Sequence, residues 1–254
     1  MELPTNPFKA ALRAGRRQIG LWSALAAPAS VELLAHAGFD WLLLDMEHAP
    51  IDLGELRGEL MALNGSATHA IVRPPWNDAV AVKRILDLGA QTLLFPVIQS
   101  GAEAAAAVAS TRYPPAGVRG VAGGTRATRY GRVDDYYRQA QDELCVIVQI
   151  ETRAGLAHLD EILAVDGVDA IFLGPADLSA SLGHLGEPRH PEVAAAMEDA
   201  LRRCVAAGKP VGTISQDEAL ARRWFELGAS FVAVGVDVLL FARAADALAA
   251  KFKG

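Results

Sequence analysis

Residues 37–50 read AGFDWLLLDMEHAP. A helix ends at Gly38, an apolar strand follows at Trp41–Asp45, and Asp45, Glu47 and His48 stand where that strand stops. The same helix, glycine, strand phrase returns as LGAQTLLF (88–95), AGKPVGTI (207–214) and LGASFVAV (227–234). Glycine just past a helix accommodates the left-handed cap conformation that other residues resist. Four copies of one junction indicate a repeating αβ architecture. Working outward, eight short apolar runs emerge: Gln18–Trp22, Trp41–Asp45, His69–Arg73, Thr92–Pro96, Cys145–Ile150, Ala170–Gly174, Pro210–Ile214 and Phe231–Gly235. Most lack polar alternation, as expected of parallel strands covered on both faces. Helical stretches separate them, among them Ala29–Ala37, Ala79–Leu88, Glu192–Ala207 and Leu220–Leu227.

Eight such units in 254 residues predict a single-domain (β/α)8 TIM barrel, a fold that takes about 250 residues. An open dinucleotide-binding sheet would carry G-x-G-x-x-G after its first strand, where this chain has GLWSALAAP (20–28). The whole chain, 1–254, reads as one domain with long segments near 111–138 and 178–191.

Composition narrows the function. With 52% hydrophobic and 21% charged residues, general disorder is excluded. A net charge of −6 argues against a nucleic-acid partner. No apolar run is long enough for a signal peptide or a membrane span, and two cysteines make no disulfide framework, so a cytoplasmic protein is expected.

In a barrel of this kind chemistry collects at the C-terminal ends of the strands. The second strand ends in Asp45-Met46-Glu47-His48, the third in Arg73, the fifth in Gln149-Ile150-Glu151 and the sixth in Gly174-Pro175-Ala176-Asp177. Glu151 and Asp177 occupy equivalent places on adjacent strands. Two carboxylates with water and substrate oxygens suit a hard divalent cation. Equally, Asp177 is placed to cap a short helix at 178–182. His48, three residues beyond Asp45, suits proton transfer near neutral pH if the carboxylate orients it, or is an ordinary loop histidine. Arg73 suits a developing oxyanion, or an ion pair with Asp45 or Glu47. Gln149 suits a substrate oxygen or a neighbouring backbone group. His184 and His190 fall in the second long segment, where only the rim is in reach. Arg119, Arg126, Arg129 and Arg132, interleaved with glycines, suggest either an anion-binding lid or a set of structural ion pairs. None of the five lysines follows a strand, which argues against a Schiff-base mechanism.

The motifs LLLDMEHAP (42–50), IVRPPWND (71–78), RYPPAGVRGV (112–121), VQIET (148–152), GPADLSASLG (174–183) and FVAVGVD (231–237) together resemble the HpcH/HpaI aldolase family. The resemblance runs from about residue 19 to 252. It implies a metal-dependent class II pyruvate aldolase that cleaves a 4-hydroxy-2-oxo acid to pyruvate and an aldehyde, and that assembles as a homo-oligomer, commonly a hexamer. It implies Glu151 and Asp177 as ligands of Mg²⁺, Mn²⁺ or Co²⁺, His48 as general base with Asp45 nearby, and Arg73 as stabiliser of developing charge. It implies Gln149, Ala176 and Asp177 as the substrate-binding set, and Asp87 as a support for the histidine. Asp87 ends a helix that points away from the site, so this last role requires a second copy of the chain. Met46 and residues 122–125 depart from the family pattern without removing a group the chemistry needs. A thioester lyase acting on a coenzyme A substrate, or a silent barrel that binds a keto acid, are the competing expectations.

Overall fold

The structure, a computed structural model, describes residues 1–253. Eight parallel strands close a barrel in sequential order: β1 (Gln18–Ser23), β2 (Trp41–Asp45), β3 (His69–Arg73), β4 (Thr92–Phe95), β5 (Cys145–Ile150), β6 (Ala170–Leu173), β7 (Val211–Ile214) and β8 (Phe231–Val236). The helices are α1 (Pro7–Arg13), α2 (Pro28–Ala35), α3 (Leu53–Ala62), α4 (Ala79–Asp87), α5 (Gly101–Thr111), α6 (Tyr136–Glu143), α7 (Arg153–Ala157), α8 (Leu159–Leu163), α9 (Pro175–Ser181), α10 (Pro191–Ala206), α11 (Glu218–Glu226) and α12 (Asp237–Lys253). Among the described residues no helix is long and apolar enough to cross a membrane.

Period-2 alternation divides each strand between two cores. Outward residues such as Leu42, Leu44, Val146 and Val148 pack under the helices. Inward residues such as Trp41, Leu43, Ile71, Ile147, Phe172 and Phe231 fill the barrel. The interior is shaped by pairing large with small residues across strands. Gly20 is in register with Trp41, and Gly212 with Phe231. A Cβ on Gly20 would stand 2.1 Å from the Trp41 ring, and one on Gly212 2.4 Å from the Phe231 ring. Phe8 of α1 plugs the lower end, edge-on to Trp41 at 6.3 Å and to Phe231 at 5.3 Å.

The expected strands recur with ends shifted by a residue or so. β7 starts at Val211 because Pro210 has no N–H for the ladder, although its carbonyl still accepts from Ile171. The long segment near 178–191 is shorter than expected, since α9 occupies its start and leaves 182–190 between α9 and α10. The arginine-bearing segment follows α5, so it lies at the lower end of the barrel. It is anchored there: Arg126 donates to the carbonyls of Leu88 (2.6 Å) and Leu60 (3.1 Å), at the ends of α4 and α3. A lid over the same chain's strand ends is therefore excluded for this loop, and Arg126 instead completes two helix C-termini.

Candidate active site

Strand parity explains how the polar set is assembled. Trp41 and Leu43 face inward, so Asp45 does too, and Ile71 brings Arg73 to the same level. Asp45 and Arg73 are register partners on β2 and β3. Cys145 and Ile147 likewise direct Gln149 and Glu151 into the mouth, and Ala170 and Phe172 direct Gly174. These groups form a buried polar basin above the Phe172 and Trp22 rings, whose centroids are 5.6 Å apart.

One half of the basin is built on Arg73. Its Nε donates to Asp45 Oδ1 at 2.9 Å and its Nη2 to Asp45 Oδ2 at 2.6 Å. Its Nη1 pairs with Glu47 Oε2 at 2.9 Å, and the guanidinium lies 4.8 Å from the Trp22 ring centroid. Trp22 Nε1 also donates to Asp45 Oδ2 at 3.0 Å. Burial pushes the Asp45 carboxyl up, but the hydrogen bonds and charge of Arg73, together with Trp22, outweigh it and hold the group below its ordinary value. A guanidinium has five N–H groups. Two donate here, both to Asp45, while Nη1 meets Glu47 as an ion pair without a hydrogen bond.

The other half is built on Glu151, which is 1% exposed. Its Oε1 accepts from the Val97 N–H at 2.8 Å and its Oε2 from Gln149 Nε2 at 2.5 Å. Val97 adopts φ +52°, a left-handed conformation unusual for a β-branched residue, and so turns its N–H onto the carboxylate. Gly174 faces the same group: a Cβ there would stand 2.6 Å from Glu151 Oε2 and 2.8 Å from Gln149 Nε2. Burial, followed by the nearby charges of Asp177 and Glu47, pushes the Glu151 carboxyl up to about 7 despite the Val97 hydrogen bond. Burial also raises Glu47, against the opposing charges of Arg73 and His48 and with the charges of Asp45 and Asp177. Four carboxylates, Asp45, Glu47, Glu151 and Asp177, thus converge, with Arg73 drawn among them.

This arrangement fits a divalent cation. Its donors are all oxygen, the Oε1 of Gln149 is buried without a partner, and Gly174 lets Glu151 and Gln149 approach where any Cβ would collide with them. Asp177 is exposed in the first turn of α9. The N-cap is Gly174, so the expectation that Asp177 caps a helix is corrected and its carboxylate is free. Ala176 shares that turn, where backbone N–H groups have no intrahelical acceptor.

Two expected partners of His48 lie elsewhere. The Asp45 carboxylate does not orient the imidazole. It accepts from the main-chain N–H groups of Glu47 (3.0 Å) and His48 (3.3 Å) instead. The His48 side chain is 65% exposed, with Nε2 3.8 Å from Glu47 Oε2. Asp87 ends α4 at the lower end of the barrel and pairs with Arg119 at 3.2 Å, so it does not approach His48 of its own chain. Sequence reasoning treated Glu47 only as an ion-pair partner and passed over Trp22 and the Val97 amide. Parity from Gly20 would have placed Trp22 inside the barrel. Nothing in the sequence signals the strained Val97.

The profile of the HpcH/HpaI aldolase/citrate lyase family matches residues 18–244. The chain is 57% identical over 248 residues to the 4-hydroxy-2-oxo-heptane-1,7-dioate aldolase of Klebsiella pneumoniae subsp. pneumoniae, covering 97% of this chain and 94% of that one. It is 56% identical to the enzyme of the same name from Salmonella dublin, with the same coverage. Among solved structures, an HpcH/HpaI aldolase/citrate lyase family protein from Burkholderia cenocepacia J2315 superposes with a TM-score of 0.95 at 42% identity, covering 98% of this chain and 100% of that one. With nearly the whole barrel matched, strand ends included, the chain belongs to the HpcH/HpaI aldolase/citrate lyase family.

Proposed function

We propose that this chain is a class II, metal-dependent pyruvate aldolase. Its substrate is a 4-hydroxy-2-oxo acid, foremost 4-hydroxy-2-oxoheptanedioate, which cleaves to pyruvate and succinate semialdehyde. The observation that carries the reading is the buried Glu151, packed against Gly174 and pushed up to about 7 among converging carboxylates. The names of the relatives supply the substrate class.

A divalent ion (Mg²⁺, Mn²⁺ or Co²⁺) held by Glu151 and Asp177 supplies Lewis-acid polarisation of the 2-oxo group when bound. The remaining work belongs to the chain. The first-turn amides at Ala176 and Asp177 receive the substrate carboxylate. Gln149 holds Glu151 in place through Nε2 and borders the bound oxo acid. The Arg73 guanidinium, through the N–H groups that Asp45 does not take, faces the C2 oxygen as negative charge grows there. Asp45, which grips Arg73 with both oxygens, is a positioning residue. His48 takes the proton of the C4 hydroxyl as the C3–C4 bond breaks. The electron pair passes to C3, the aldehyde departs, and protonation of C3 gives the pyruvate methyl group.

We infer further that the chain self-associates. From Leu239 to Lys253, α12 is exposed throughout, including Leu239, Leu240, Phe241, Leu248 and Phe252. Ile19, on β1, is 40% exposed. A helix and a barrel wall that both lack cover are what a neighbouring copy would bury. Such an assembly is also the one route by which Asp87 could reach a His48, across subunits. A hexamer and a cytoplasmic setting fit this reading, the latter with Cys145 and Cys204 both free and buried.

Turnover of 4-hydroxy-2-oxo acids, compared with malyl-type thioesters, tests the proposal. Manganese-dependent release of pyruvate from the oxo acid is expected, lost on chelation and in Glu151→Ala with the fold intact by circular dichroism. Full activity of Glu151→Ala, or turnover of the thioester alone, would overturn it.

A further inference from the structure

The segment between α9 and α10 carries a second group of metal-ligating side chains, and its donors differ in kind from those of the basin. His184, His190 and Glu192 bring one ligand atom each within 4.8 Å of one another. His184 Nε2 lies 2.9 Å from Glu192 Oε2, and the His184 and His190 rings stack with centroids 3.5 Å apart at 15°. This is the only such group of three among the described residues.

A bland account exists for each pair taken alone. His190 is the N-cap of α10, its Nδ1 accepting from the Glu192 N–H at 3.3 Å, and Glu192 suits the positive end of that helix. Neither role needs a second imidazole, and His184 caps nothing. The backbone instead presents His184 to the other two. Its N–H donates to Ser179 O at 2.7 Å and its carbonyl accepts from Glu187 at 2.9 Å, while the His190 N–H donates to Glu187 O at 2.9 Å. Gly183 and Gly186, at φ +95° and +80°, supply the left-handed bends between these turns. The donors are therefore held by closed turns rather than by a loose loop.

We propose that His184, His190 and Glu192 form a second metal site, selective for late first-row divalent ions such as Zn²⁺. Two nitrogens and one carboxylate oxygen are the donor types such ions prefer, and three protein ligands leave a position open to water. Mg²⁺ and Mn²⁺ favour the all-oxygen basin instead. The two sites sort metals by donor chemistry. A metal held here ties the end of α9, whose first turn carries Asp177, to the start of α10.

The full-length Glu151→Gln protein, with the basin disabled, is titrated with Zn²⁺ by calorimetry and with Co²⁺ by visible absorption. It is compared with Glu151→Gln/His184→Ala and Glu151→Gln/His190→Asn, asparagine keeping the helix cap. The expected result is one Zn²⁺ per chain in the parent and Co²⁺ bands typical of nitrogen ligation. Both double variants bind at least tenfold more weakly, and the zinc-induced rise in Tm disappears with them. Manganese-supported pyruvate release by the single variant His184→Ala equals that of the unmodified protein. No zinc binding by the parent, or identical titrations in all three proteins, would overturn the proposal.

Discussion

Glu59 and Glu151 are both pushed up to about 7, and their surroundings separate a functional carboxyl from a structural one. Glu151 stands beside Asp177, Glu47 and Arg73 and has hydrogen-bond donors on both oxygens. Glu59, in α3, is fully buried, and neither oxygen has a partner. Burial raises it first, and the charges of Asp237 and Glu55 add to the effect. A carboxyl with a raised folded pKa stabilises the protein fully below its unfolded value, and that contribution is lost as pH rises through the folded value. Stability attributable to Glu59 is therefore present below pH 4.5 and gone above about 7. The neutral isostere Glu59→Gln is expected to raise Tm at pH 8 and to match the original protein at pH 4.5, checked by calorimetry across that range. A lower Tm at pH 8 would mean that the charged form is stabilised by something else. Sequence could not distinguish these two glutamates, because burial without a partner is a property of packing. It did mark Glu151 and Arg73, since a charged residue ending an apolar run has few other reasons to be there.

At the level of elements, the barrel was legible because its signals are local. Glycine caps, apolar strands and helix lengths each act within a dozen residues, and all point to the same fold. The pairing of Gly20 with Trp41 was not legible, since it joins strands whose contact depends on register. Its consequence is measurable. Gly20→Ala drives a methyl group into the Trp41 ring, and overpacking of this kind costs about 1–3 kcal/mol. The midpoint of urea unfolding is expected to fall, with the denaturant slope unchanged. Unchanged stability would show that Trp41 has room to move. The direction of the arginine loop was also missed. Its glycines and arginines read equally well as a lid, and only its place after α5 puts it at the lower end.

For the whole molecule, α12 is the unfinished part. A helix of 17 residues whose one buried residue is Asp237 contributes little to a lone barrel. On the proposed self-association, its apolar side chains are what a neighbouring copy covers. Phe241→Asp is expected to shift the protein to smaller species in light scattering after size exclusion while leaving the barrel's circular dichroism intact. Retention of the assembled mass would remove α12 from the interface. The strand ends carry the central claim, that this barrel makes the C3 carbon of pyruvate acidic by means of a metal held at Glu151. The most direct measurement is exchange of the pyruvate methyl protons with deuterium, followed by proton NMR, because it needs no aldehyde. With Mg²⁺ or Mn²⁺ the methyl signal is expected to decay, and to persist after chelation or in Glu151→Gln. Exchange that survives thorough chelation, or no exchange with any divalent ion, would contradict the account.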